Sequence, residues 1–168
     1  PMFTPQATLE AIQTHQPSHV LLVPVMLQMV LQHPEFDSFD VSSLGLIAYG
    51  ASPITESVLV EGFKKFPKTK FLQAFGQTEL SPVATILDTR FHVLDGPDAG
   101  RLRSAGRPTR IVEIRIVDEN DTEVPRGEVG HITVKGPITM LGYWNKPDVT
   151  AETIKDGWVY TGDAGYMD

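Results

Sequence analysis

The sequence predicts an α/β chain: a partial parallel sheet with flanking helices, followed by a small antiparallel β lobe. Three observations carry that prediction. Over the first half, short apolar runs (HVLLV, LGLIAY, KFLQAF) alternate with amphipathic stretches, the pattern of parallel strands joined by helices that cover both faces. From Ile111 onward Val112, Ile114 and Ile116 alternate with Glu113 and Arg115, which marks a half-buried strand. Turn signals then recur at Asn120-Asp121, Pro125-Arg126-Gly127 and Lys155-Asp156-Gly157. The expected division is residues 1–100 for the α/β part and 101–168 for the β-rich part.

Each element has a local cause. Thr4-Pro5 supplies an N-cap and a first-turn proline, so a helix is expected to about His15, with Leu9 and Ile12 on one face. His19–Val23 is an apolar run ended by Pro24, a strand, with His19 expected as a satisfied core or boundary residue. VMLQMVLQ reads as a helix whose Met26, Met29 and Val30 face the core. Phe36–Ser43 is a connector, and Leu44–Tyr49 the next strand. Ser52 and Pro53 are placed as N-cap and N1 of a helix to about Phe66, with Ile54, Val58, Leu59 and Phe63 inward and Lys64, Lys65 and Lys68 solvated. Phe71–Phe75 is a third strand. Asp88–Gly106, rich in Asp, Gly, Arg and Pro, reads as a long surface connection whose arginines are solvated. VGHITVKG (129–136) and the run WVYT are strands, and Pro147–Ile154 a short helix.

Composition narrows the function. The chain is 41% hydrophobic and 21% charged, ordinary for a globular domain. A net charge of -7 speaks against nucleic acid as a partner but not against a nucleotide, where local donors and a bound cation dominate. With no cysteine there is no disulfide, thiolate metal site or cysteine nucleophile, and a cytoplasmic setting is the expectation. The most apolar stretch, Val20–Leu31, is too short for a transmembrane segment, and no signal-peptide pattern opens the chain. Both ends read as cut, and nothing sets an oligomeric state. The histidines show no HExxH spacing and no serine stands in a GxSxG elbow.

The chemistry concentrates at strand ends. Phe71–Phe75 stops at Gly76 and presents Gln77, Thr78 and Glu79; a hydroxyl that donates to phosphate and a hard carboxylate oxygen suit a magnesium-bound phosphate. Ligands of open α/β sheets bind outside the carboxyl ends of the strands. Gly50-Ala51-Ser52 is therefore expected to approach Gly76–Glu79 there. Thr161-Gly162-Asp163 places another glycine and carboxylate at an expected strand end, and a carboxylate can accept from both hydroxyls of a ribose. Each motif alone reads more readily as a polar turn, and only their order along the chain raises them above that.

Taken in order, YGASP (49–53), QAFGQTE (73–79), SAGRP (104–108), GEVGHITVKGP (127–137), GYWNKP (142–147) and DGWVYTGDAGY (156–166) resemble the adenylate-forming (ANL) superfamily of acyl-CoA synthetases, luciferases and peptide-synthetase adenylation domains. The resemblance covers nearly the whole chain. It implies that Gly50, Ala51 and Ser52 lie beside adenine and that Gln73, Ala74 and Phe75 form the strand end along the nucleotide, with Phe75 stacking on the base. Gly76 and Gln77 continue that wall, Thr78 meets phosphate, Glu79 ligates Mg²⁺ and Asp163 holds the ribose. Thr78 and Glu79 are the implied catalytic residues, and ATP, Mg²⁺ and CoA the implied cofactor set, with a small-molecule carboxylic acid as substrate. The implied activity is that of an AMP-forming acyl-CoA ligase, with GQTELSPVA and MLGYWNKPDVTAETIKDGW most like fatty acyl-CoA synthetases. Phe75 stands where the family usually has tyrosine, and Ala51 where a second glycine is frequent. The phosphate loop with its lysine and the catalytic lysine of the C-terminal domain are absent, so this chain alone is expected to be inactive. Other classes remain: an aryl-CoA ligase or peptide-synthetase domain, a non-catalytic nucleotide-binding module, or a structural domain whose glycines only make turns.

Overall fold

The computed structural model describes residues 2–168; Pro1, the first residue of the expected α/β part, lies outside the described residues. Thr4 caps α1 (Pro5–His15) as its sequence requires, its side chain accepting from the Ala7 amide. There follow β1 (His19–Leu22), α2 (Pro24–Leu31), β2 (Leu46–Gly50), α3 (Glu56–Lys65), β3 (Lys70–Phe75), β4 (Thr85–Leu87) and β5 (Arg107–Pro108). The second half holds β6 (Glu113–Val117), β7 (Gly130–Lys135), α4 (Pro147–Thr153), β8 (Ile154–Lys155) and β9 (Trp158–Gly165). Strands β1 to β5 form one sheet in sequence order, and a second sheet runs β6-β7-β9-β8. The α/β class with an antiparallel lobe is what the periodicity predicts.

The chain divides into two compact units, residues 2–74 with Ile86–Gly106, and Phe75–Thr85 with Arg107–Asp168. In the first, β1 pairs with β2 and β2 with β3, both parallel, with Leu46 opposite His19 and Lys70. Leu9 and Ile12 of α1, Leu27, Val30 and Leu31 of α2, and Leu59 of α3 bury against Ile47, Tyr49 and Phe71 of the strands. Each fully buried aliphatic side chain contributes about 1.5–3 kcal/mol by leaving water. In the second, β6, β7, β9 and β8 are antiparallel neighbours. Leu80, Ala84, Val134 and Val159 form its core, with Phe75, Ile114, Ile132, Ile138 and Ile154 packed around it.

Several local expectations are corrected. Ser52 and Pro53 do not start a helix: both are exposed, and α3 begins at Glu56 behind Thr55, which makes no side-chain cap. Parallel pairing of Gly50 with Ala74 extends β2 to the glycine, so several residues are spent turning before helical geometry begins. Met29 is 43% exposed rather than core, because Leu27, Val30 and Leu31 fill the inner face of α2. Lys65 is not simply solvated: its ammonium donates to the Leu31 carbonyl at 2.6 Å and lies 4.6 Å from the centre of the Phe36 ring. His19 is satisfied, as expected, by a hydrogen bond with the Ser18 hydroxyl, but it is exposed rather than core or boundary. The long connection 88–106 is anchored by Phe91, His92 and Leu102, all buried, while Arg90, Arg101, Arg103 and Arg107 are exposed as expected. Among the described residues, no helix is long and apolar enough to cross a membrane.

Candidate functional site

In the first unit, the β2–β3 register sets Gly50 opposite Ala74 at the carboxyl ends of both strands. A Cβ on Gly50 would stand 2.2 Å from the Ala74 carbonyl oxygen, so the glycine is demanded by the neighbouring strand. Ala51 follows at φ 70, a left-handed conformation costly for any residue with a Cβ; glycine would be relaxed there. Ser52 is exposed. Gln73 is half-buried, and its Oε1 is buried without a hydrogen-bond partner. Buried polar atoms are nearly always paired, so an orphan needs a reason.

Directly behind Gly50, the Tyr49 side chain is fully buried and its hydroxyl lies 2.9 Å from His92 Nε2. His92 Nδ1 lies 3.1 Å from the Asp88 carbonyl, so Nδ1–H donates to that oxygen and Nε2 accepts from Tyr49. Burial pushes the His92 pKa down and the Tyr49 pKa up, keeping both rings neutral.

In the second unit, Phe75 closes β3 with its ring half-buried against the Leu80 and Ala84 cluster. A Cβ on Gly76 would meet the Pro82 carbonyl oxygen at 2.0 Å. This glycine therefore serves the return of its own loop. Gln77 is half-buried, and Thr78–Leu80 is one 3₁₀ turn pinned beneath by buried Leu80, leaving Thr78 exposed and Glu79 half-buried. The Glu79 carbonyl accepts from the Met140 amide at 2.8 Å, and its Oε1 accepts from the Tyr143 hydroxyl at 2.6 Å. That bond to a carboxylate raises the Tyr143 pKa. No Lys, Arg or His among the described residues lies within salt-bridge distance of Glu79.

Asp163 is not at a strand end. Between the pairs His131↔Ala164 and Thr133↔Tyr160 the register shifts. Thr161, Gly162 and Asp163 thus stand opposite Ile132 alone. Gly162 adopts φ 81, Thr161 donates to the Ile132 carbonyl, and the Asp163 amide donates to the Thr161 hydroxyl. Bulges of this kind re-aim side chains, and the Asp163 side chain is exposed. No hydrogen bond links it to Glu79.

The structure thus brings Gly50 beside Ala74 in one unit and joins Glu79 to Tyr143 in the other. Two residues escaped the sequence reading. Tyr143 was visible only as part of GYWNKP, and His92 as one of five unremarkable histidines; their partners lie far away in the chain.

A family model described as AMP-binding enzyme matches residues 1–144. The chain belongs to the AMP-binding enzyme family. It is 41% identical over 166 residues to the medium/long-chain-fatty-acid–CoA ligase FadD8 of Mycobacterium tuberculosis, covering 99% of this chain and 28% of that protein. It is 36% identical to a feruloyl-CoA synthase of an Amycolatopsis species, covering 99% of this chain and 32% of the other. The solved amide bond synthetase McbA from Marinactinospora thermotolerans superposes with a TM-score of 0.87 at 34% identity, over 99% of this chain and 32% of that one. The chain spans about a third of the length of the curated relatives it matches.

In this member of the AMP-binding enzyme family, no group of three or more His, Asp or Glu among the described residues could hold a metal ion by itself. Magnesium needs none: it keeps several waters and binds through one or two carboxylates plus substrate phosphates. Glu79, with one oxygen bonded to Tyr143 and no cation beside it, fits that donor set.

Proposed function

We propose that this chain supplies the adenosine- and metal-facing parts of an AMP-forming acid–thiol ligase acting on a fatty acid. Residues 1–100 would be part of the α/β subdomain of the adenylating domain and 101–168 part of its β-rich subdomain. The observation that carries the reading is similarity over 99% of this chain to a protein named as a fatty-acid–CoA ligase. Supporting it are the uncompensated Glu79 carboxylate, the exposed Thr78 hydroxyl and the outward-set Asp163.

The reaction proceeds in two displacements. A substrate carboxylate oxygen attacks the α-phosphorus of ATP; the bond to the bridging oxygen breaks, pyrophosphate leaves and an acyl-adenylate forms. The thiol of CoA then attacks the acyl carbon, a thioester forms and AMP departs. Catalysis of this kind is positioning plus charge stabilisation, with no protein nucleophile required. Gly50, Ala51 and Ser52 border the base, Gln73 offers its unpaired acceptor oxygen, and Phe75 presents a ring on which adenine stacks. Gly76 and Gln77 continue the wall, Thr78 donates to phosphate and Asp163 accepts from the ribose hydroxyls. Mg²⁺, when bound, would neutralise phosphate charge, and Glu79 would hold it. Because the family's phosphate loop and catalytic lysine are not among these residues, turnover by this chain alone is not expected. A cytoplasmic setting fits a substrate set of ATP, CoA and a small carboxylic acid.

Glu79→Gln tests the reading. Isothermal titration with ATP, with and without Mg²⁺, should lose the metal-dependent part of the affinity while metal-free binding stays. A magnesium dependence equal to that of the unmodified chain would refute the assignment of Glu79.

A further inference from the structure

Of the contacts around the candidate site, one joins two motifs that lie 64 positions apart: the Tyr143 hydroxyl on Glu79 Oε1 at 2.6 Å. The surrounding geometry is built to hold it. The Tyr143 amide accepts no freedom from its loop, since it donates to the Thr150 hydroxyl at 2.9 Å, and that hydroxyl donates in turn to the Lys146 carbonyl at 2.8 Å. Thr150 is therefore a clamp from α4 onto the loop that carries the tyrosine. From the same loop, Met140 donates its amide to the Glu79 carbonyl at 2.8 Å. Glu79 is thus gripped at its backbone and at one carboxylate oxygen by residues 140 and 143.

We propose that Tyr143 is a positioning residue: by occupying Oε1 it turns Glu79 into a one-oxygen ligand for the magnesium that accompanies ATP. This rests on the reading of Glu79 as a metal ligand and adds to it the group that aims it. A glutamate on an open turn samples several rotamers, and fixing one of them costs side-chain entropy at the moment of binding. A tyrosine already braced by α4 removes that cost in advance. The bond takes one lone pair of Oε1 and so favours the other oxygen as the ligand, which suits an octahedral Mg²⁺ that retains its waters and takes one or two carboxylates. Outer partners of metal ligands characteristically act this way, and their loss costs about 10- to 100-fold in metal affinity. On this account GYWNKP is a support built against the QTE turn, with Pro147 opening the helix that braces it.

The test uses this chain with Mn²⁺·ATP as the probe and paramagnetic broadening of the Glu79 carboxylate carbon, or of the amides of residues 78–80, as the readout. Tyr143→Phe keeps the ring and removes the donor. It should require about 10- to 100-fold more Mn²⁺·ATP for equal broadening of those amides, while the shifts caused by metal-free ATP stay as in the wild type. A role in stability alone would move both. Thr150→Val, which releases the clamp but leaves the phenol, should shift the Mn²⁺·ATP titration in the same direction by a smaller factor. Wild-type broadening in Tyr143→Phe, with Glu79→Gln abolishing it, overturns the positioning role and leaves the metal ligand standing. Undiminished broadening in Glu79→Gln, or none in the wild type, overturns the metal reading and the positioning role with it.

Discussion

Tyr49 and Tyr143 each donate a hydrogen bond to a residue distant in sequence, 43 and 64 positions away, under opposite conditions. Tyr49 is sealed in the core of the first unit and meets a neutral histidine whose other nitrogen is already committed to the Asp88 carbonyl. Tyr143 is half-buried and meets a carboxylate that no cation among the described residues balances. The buried bond is worth what its loss would expose, an unsatisfied donor or acceptor in a dry interior. The open bond is worth little to stability, because water would replace it, and its value lies in the direction it imposes on a charge. The two units thus use the same side chain for cohesion in one and for aim in the other.

Four measurements would break or sharpen that contrast. The largest effect belongs to the tightly packed end of β2. Gly50→Ala forces a Cβ to within 2.2 Å of the Ala74 carbonyl oxygen, a backbone neighbour that cannot rotate away. Denaturant unfolding should show a loss of about 3 kcal/mol, and an unchanged midpoint would mean that the strands part freely. Next, Tyr49→Phe strands the His92 Nε2 acceptor in the core and should cost about 1–3 kcal/mol. A loss below that range would place His92 in contact with water.

The pH dependence follows from the same pair. Burial holds the folded pKa of His92 below its ordinary value of 6.5. On acidification the unfolded chain therefore takes up the proton first, and stability falls as pH drops from about 6.5 towards the lowered value. Above 6.5 both states are neutral at this position and its contribution is constant. Melting temperature should decline over that acidic window in the wild type and decline less in His92→Gln; parallel profiles would exclude the histidine. The smallest effect is expected at the open tyrosine. Tyr143→Phe should change unfolding free energy by about 0.5 kcal/mol or less, as surface substitutions do. A loss as large as that of Tyr49→Phe would erase the distinction between the two bonds.

Much of the first unit was legible because its causes are local. Thr4-Pro5 states a helix start in two residues, and the inward positions Val58, Leu59 and Phe63 follow from a 3.6-residue period. The antiparallel lobe announced itself through alternation and turn residues, and Asp118 caps its first turn by accepting from the Asn120 and Thr122 amides. The start of α3 was misplaced because Ser52-Pro53 carries a cap signal that the pairing of Gly50 with Ala74 overrides. Lys65 looked solvated because nothing near it in sequence reveals the Leu31 carbonyl it bonds. At the site, the glycines were legible as glycines but not by cause: Gly50 and Gly76 answer to Ala74 and Pro82. The links Tyr49–His92 and Tyr143–Glu79 depend on tertiary closure, which no window along the chain contains.

The bulge in β9 carries a consequence for how this protein tolerates change. Three residues, 161–163, face one across the ladder, so the odd count decides which side of the sheet every residue on one flank of it faces. Excising a single residue there would invert that flank, exchanging interior Val159 for a water-facing neighbour or turning Ala164 inward. The aspartate's bearing and the integrity of the hydrophobic layer are therefore coupled by simple parity, and length at this point of the strand is constrained as tightly as chemistry.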